Sequence, residues 1–165
     1  MAIPRNIKRY LTQNGVGYSR KSHSLAYTSQ EVAQIEHIPG GEFAKTLVIE
    51  ADDELILAVL PADHVVNFEA LKRRVGCSKL SLKPEKEFIE QFPETEAGAM
   101  PPFGKLFGLP VYCDSALAKH AEIEFNAGTH TDAIRMTYGS FAKLENPIVA
   151  SFSEKATGLP VDRAA

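Results

Sequence analysis

Two apolar runs, AKTLVIEA and ELILAVLP, flank the acidic pair Asp52-Asp53. Both are rich in β-branched and aliphatic residues, and so short a polar break between them reads as a hairpin. A strand with one wet face would alternate apolar and polar residues. These two are apolar almost throughout, so the hairpin is the covered centre of a sheet, with further layers packed on it. A chain of 165 residues, 44% of them hydrophobic, is long enough to bury such a core as one domain over residues 1–165.

The flanking sequence supplies the remaining elements. Ile3, Ile7, Tyr10 and Leu11 recur at helical spacing, and Asn14-Gly15 ends that helix. VGYSRKSH reads as a strand. TSQEVAQIEHIPGG reads as a short helix opened by a Thr28–Glu31 capping box. After the hairpin, NFEALKRRVG gives a helix with Phe68, Leu71 and Val75 on one face and Gly76 as its stop. SKLSL suggests a brief strand, and KPEKEFIEQFP a helix with Pro84 in its first turn. LPVYCD, AEIEFNAG and the stretch around Ile134 and Met136 read as strands, and SFAKLE as a helix. The interleaving lacks the regular rhythm of a doubly wound fold. The expectation is an α+β single domain with a mixed, curved β-sheet and helices packed on the outside, ending in a loosely ordered tail over 154–165.

The same sequence narrows the chemistry. It contains no apolar run of membrane-spanning length and no signal-peptide core at its start, so cytoplasmic residence is the default expectation. A net charge of −3 argues against nucleic-acid binding by bulk charge, but leaves room for a local basic patch. Arg20 with Lys21, and Lys72 with Arg73 and Arg74, are the candidates; a solvated surface is the alternative for each. No phosphate-loop or dinucleotide glycine pattern is present. Cys77 and Cys113 fit no metal spacing and are expected to be reduced thiols. His130 and Asp132 would share a face on a strand, half a metal site without visible partners, so no metal and no cofactor is expected. Cys113 with His130 could form a nucleophilic pair, although a buried cysteine on a strand accounts for it more simply.

Two features remain. Lys45 opens an apolar strand, either as a strand-end charge reaching water or as a cation at a pocket rim suited to phosphate or carboxylate. EAGAMPPFGK, residues 96–105, cannot be a helix interior or a central strand, because Pro101 and Pro102 lack the N–H that both need. It is a stiff, nearly uncharged loop.

GGEFAKTLVI, GAMPPFG and NAGTHTDAIRMT, in that order and spacing, resemble the YbaK/prolyl-tRNA editing-domain family over about residues 22–152. The resemblance implies a trans-editing hydrolase that deacylates mischarged aminoacyl-tRNA, in aid of translation fidelity. By that resemblance Lys45 holds the phosphate end of the acylated tRNA, and Gly98 through Pro102 form a loop whose backbone faces the ester. Gly128 and His130 then belong to the acyl pocket, and Thr46, Met100, Pro101, Pro102 and Phe103 to the substrate-binding set. The implied partners are the acylated 3′ end of tRNA and, as a second candidate, an aminoacyl-tRNA synthetase. Water attacks the ester, aided by backbone groups and the ribose hydroxyl, with no obligatory side-chain nucleophile. Two alternatives stand beside this: a non-catalytic binding module for acylated tRNA or an amino acid, and a hydrolase of small acyl esters.

Overall fold

The computed structural model describes residues 3–23, 31, 33–34 and 39–156. Its centre is the expected hairpin, β2 (Phe43–Ala51) and β3 (Glu54–Pro61), in continuous antiparallel register from Ala44↔Pro61 to Ala51↔Glu54. Asp52 makes the turn at φ 52, a left-handed conformation that aspartate tolerates better than most residues. Its carboxylate also accepts from the N–H groups of Ser78 and Lys79, at 3.0 and 2.9 Å. The turn is thereby tied to the chain that leads into β5 (Leu80–Leu82).

Around the hairpin the sheet is mixed. Its order is β1 (Ser19–Ser22), β8 (Asp132–Thr137), β7 (Glu122–Asn126), β2, β3, β6 (Val111–Asp114) and β9 (Ile148–Ala150), with β5 also paired to β2. β2–β7, β3–β6 and β6–β9 are parallel pairs; the others are antiparallel. A separate ribbon joins β4 (His64–Val66) to β10 (Ser153–Lys155). One face of the sheet carries the larger core, where α1 (Arg5–Gln13) contributes Ile7 and Leu11 and α5 (Tyr138–Glu145) contributes Phe141. On the other face α2 (Phe68–Val75) buries Leu71 against Ile49, Leu60 and Phe152. Two four-residue helices complete the fold, α3 (Gly104–Phe107) and α4 (Ser115–Ala118).

Three expectations change. Phe68 begins α2 but is 38% exposed, so that helix's apolar face is carried by Leu71 with Ala70 and Val75. KPEKEFIEQFP forms two 3-10 turns, Glu85–Glu87 and Ile89–Gln91, instead of one α-helix. The break falls at Phe88, whose φ of −130° lies outside the helical region while its ring packs edge-on against Phe92. Glu154 and Lys155, expected within the loosely ordered tail, instead pair with Val65 and His64; residues 157–165 lie outside the described residues. The Thr28–Glu31 capping box also lies partly outside them, with Glu31, Ala33 and Gln34 helical.

A buried acid locks α1, α3 and α5 together. Glu145 accepts from the Tyr10 hydroxyl and, at 3.1 Å, from the Lys105 N–H. Burial raises its carboxyl above the ordinary range, against the opposing effect of these hydrogen bonds. The folded state therefore holds this proton more tightly than the unfolded chain does. The group's contribution favours folding below its unfolded value of 4.5 and declines as pH rises through the higher folded value. The melting temperature of Glu145→Gln relative to wild type is expected to rise between pH 4 and pH 7. A pH-independent difference in thermal melts would refute this.

Candidate active site

The sheet has a gap beside β2. On the edge away from β3, Phe43 and Ala44 pair with β7, and Ile49 to Ala51 pair with β5. Between them, Lys45, Thr46 and Leu47 have no strand alongside among the described residues. Main-chain groups alternate sides along a strand. The Phe43 carbonyl accepts from Ala62 N–H on the β3 side, and the Val48 carbonyl from Lys83 N–H on the other. The N–H and C=O of Thr46 are therefore turned to the gap.

A cleft of about 290 Å³ opens there, near the lower end of the ~300–1,000 Å³ usual for small-ligand sites. Lys45, Thr46, Gly98 and Met100 line it, together with Phe88 and Ile89 at the start of the second 3-10 turn and Asn126 at the end of β7. Lys45 is 2% exposed. It is thus the third residue of a buried strand rather than a solvated strand end. Lys83, the other cation on the cleft, is ion-paired with Glu50 at 3.1 Å and Glu87 at 3.9 Å.

Gly98 sits at φ 84, in the region open to glycine and strained for other residues. The loop around it is braced from the turn before β8. Glu96 N–H donates to the Gly128 carbonyl at 2.8 Å, and Gly128 N–H to the Ala99 carbonyl at 3.0 Å. The Glu96 carboxylate accepts from His130 N–H at 2.7 Å, and His130 Nε2 meets the Ala97 carbonyl at 2.5 Å. These bonds engage Glu96, Ala97 and Ala99. Among the described residues the main-chain groups of Gly98 itself have no hydrogen-bond partner.

The structure thus brings Lys45, Thr46, Gly98 and Met100 together in one cleft and keeps the other candidates out of its lining. Phe103 is fully buried in the core, edge-on to Phe125 at 5.3 Å. Pro101 and Pro102 are buried. Gly128, at φ 90, faces α1: a Cβ there would come within 2.9 Å of Ile7 Cδ1 and Pro4 Cγ. Gly128 and His130 hold the loop from behind and do not line the cleft.

Sequence reading missed Thr95 and Asn126. Both line the cleft, at 8% and 4% exposure, and Thr95 Oγ1 and Asn126 Oδ1 have no partner among the described residues. The same holds for Thr46 Oγ1. Their presence was readable; their burial without partners was not.

The rejected chemistries can be placed as well. Asp132 is committed to Arg20 at 2.8 Å and to the hydroxyls of Thr129 and Thr131. Burial works against its charge, but these bonds outweigh it and hold the carboxyl below its usual range. His130 lies before the strand and is turned to Ala97, so the two do not form a half-site. No group of three potential metal ligands occurs among the described residues. Cys113 is fully buried, and burial pushes its thiol up to about 12, far from the thiolate a nucleophile needs. No serine, cysteine or histidine lines the cleft among the described residues.

The comparisons with known proteins agree on kind. A family model described as "Aminoacyl-tRNA editing domain" matches residues 23–144. The proline--tRNA ligase of Heliobacterium modesticaldum is 33% identical over 87 residues, 53% of this chain and 15% of that protein. That of Thermosipho africanus is 32% identical over 65 residues, 39% of this chain and 12% of that protein. The matched region thus spans only a small part of those ligases. Among solved structures, a candidate trans-editing enzyme for prolyl tRNA synthetase superimposes with a TM-score of 0.80 at 23% identity, covering 93% of this chain and 99% of the other. The hypothetical protein APE2540 gives a TM-score of 0.82 at 18% identity, covering 91% and 100%. At these identities the structural likeness speaks to fold.

Proposed function

Because this chain belongs to the aminoacyl-tRNA editing-domain family, we propose that it is a trans-editing hydrolase that deacylates mischarged aminoacyl-tRNA. One observation carries the reading. A buried cation and a half-buried stretch of main chain, Lys45 and Gly98, line a single cleft that carries no serine, cysteine or histidine among the described residues.

In this reading Lys45 binds a phosphate at the acylated 3′ end. The ester lies along the main chain of Gly98, where the absence of a Cβ allows close approach. Water attacks the carbonyl carbon, and the ribose hydroxyl beside the ester helps to carry the proton. The developing oxyanion is met by amide dipoles that need no reorganisation, because Glu96, Ala97 and Ala99 are fixed to the 128–130 turn. Preorganised donors of this sort contribute on the order of 3 kcal/mol to the barrier. The relation to proline--tRNA ligases makes the tRNA for proline, charged with a wrong amino acid, the first substrate to try, and their synthetase a partner to test. The reading implies residence where translation occurs, in the cytoplasm; no helix among the described residues is long and apolar enough to cross a membrane.

Purified protein incubated with a panel of mischarged tRNAs tests the proposal. Release of amino acid with turnover supports it. Binding without turnover would make the chain a binding module, and hydrolysis of small esters alone would detach it from tRNA.

Affinity for tRNA is expected to fall only gently with salt. The net charge is −3, and Arg20 is already engaged by Asp132. That leaves a few phosphate contacts, with Lys45 and the Lys72, Arg73 and Arg74 cluster as candidates. Three contacts at about −0.7 each give a log–log slope of roughly −2. Binding measured from low to physiological salt that shows no slope would count against tRNA as the ligand.

A further inference from the structure

We propose that Thr95 and Asn126 make this cleft selective for a short aminoacyl group that carries a hydroxyl, of serine or threonine type. The proposal rests on the deacylase reading and deepens it.

Buried polar atoms are nearly always hydrogen-bonded, and leaving one unpaired costs about 1–3 kcal/mol. Here Thr95 Oγ1 and Asn126 Oδ1, each more than nine-tenths buried, line the same cleft without a partner among the described residues. They come from distant parts of the chain, the approach to the Gly98 loop and the end of β7. Their convergence is a property of the cleft and not of one local turn.

Their chemistry differs usefully. Asn126 Oδ1 is an acceptor only, which suits the α-ammonium of an aminoacyl ester. Thr95 Oγ1 both donates and accepts, as a hydroxyl partner requires. The apolar side chains of Phe88, Ile89 and Met100 line the same cleft, as do the polar ones of Thr46 and Glu96. An alanyl methyl group would leave that hydroxyl buried and unpaired; a seryl hydroxyl would satisfy it. Sites built to hydrogen-bond a substrate hydroxyl discriminate far more sharply than sites that only measure size. The modest volume of the cleft keeps the acyl side chain short.

The test compares one tRNA charged with serine or with alanine, on wild type, Thr95→Val and Thr95→Ser. Wild type is expected to favour the seryl ester in kcat/KM at least tenfold. Thr95→Val, which keeps shape and loses the hydroxyl, should lower the seryl-to-alanyl ratio at least tenfold, and Thr95→Ser should restore it. Equal rates for the two esters in wild type, or a ratio unmoved by Thr95→Val, would overturn the proposal while leaving the deacylase reading intact. Calorimetric binding of the stable analogues 3′-seryl- and 3′-alanylamino-3′-deoxyadenosine separates the two claims further. A tenfold seryl preference abolished by Thr95→Val, in a protein that hydrolyses neither ester, would support the selectivity and sink the deacylase. Equal binding, or binding of neither analogue, would sink the selectivity.

Discussion

Lys45→Met is expected to lower kcat/KM for deacylation ten- to over a hundredfold in a protein that still folds. The charge-assisted bond to a phosphate that the substitution removes is worth about 1.5–3 kcal/mol, and each 1.36 kcal/mol is a factor of ten in rate. Methionine is the informative replacement because Lys45 is 2% exposed within the central strand. Its aliphatic stem packs as core does, and Lys45→Ala would mix lost charge with lost packing. Lys45→Ala should therefore lose activity and also melt at a lower temperature, whereas Lys45→Met should lose mainly activity. Steady-state kinetics with matched melting curves decide it. Full turnover in Lys45→Met would remove the lysine from the mechanism.

Gly98→Ala is expected to reduce turnover at least tenfold, equivalent to ~1.4 kcal/mol in the barrier. Two effects act in the same direction. The added methyl group stands where the ester is proposed to lie, and φ 84 is unfavourable to any residue with a Cβ. The backbone term also costs about 1 kcal/mol of stability, so the kinetic comparison must be made well below the melting transition. Cys113→Ser should keep measurable activity, since that sulfur is fully buried in the core and does not line the cleft. A fully active Gly98→Ala beside a dead Cys113→Ser would replace the main-chain mechanism with a covalent one.

The hairpin was legible in the sequence because two uninterrupted apolar runs have few other ways to be buried. Lys45 stood out in the sequence as a cation opening an apolar strand, with its surroundings left open, and Gly98 entered through the family resemblance; the fold adds that both line one cleft. β4, β9 and β10 are three residues each, too short for periodicity to register. The bracing of the loop was hidden because His130 reaches Ala97 across 33 positions of chain. Thr95 and Asn126 were hidden more deeply. A threonine or an asparagine is unremarkable until the fold shows which hydroxyl or amide has been shut away from water without a partner.

The seat of Gly128 against Pro4 and Ile7 bears on how this domain can be handled and housed. The start of the first helix is a wedge behind the 96–100 loop: Pro4 and Ile7 back the glycine whose N–H and C=O hold Ala99 and Glu96. Trimming the amino terminus would remove that backing together with Ile7 and Leu11, which belong to the larger core on the sheet. A fusion or a host protein that embeds this unit must deliver that wedge in place. In the proposed reading, the geometry that meets the ester then depends on residues behind the loop that do not line the cleft.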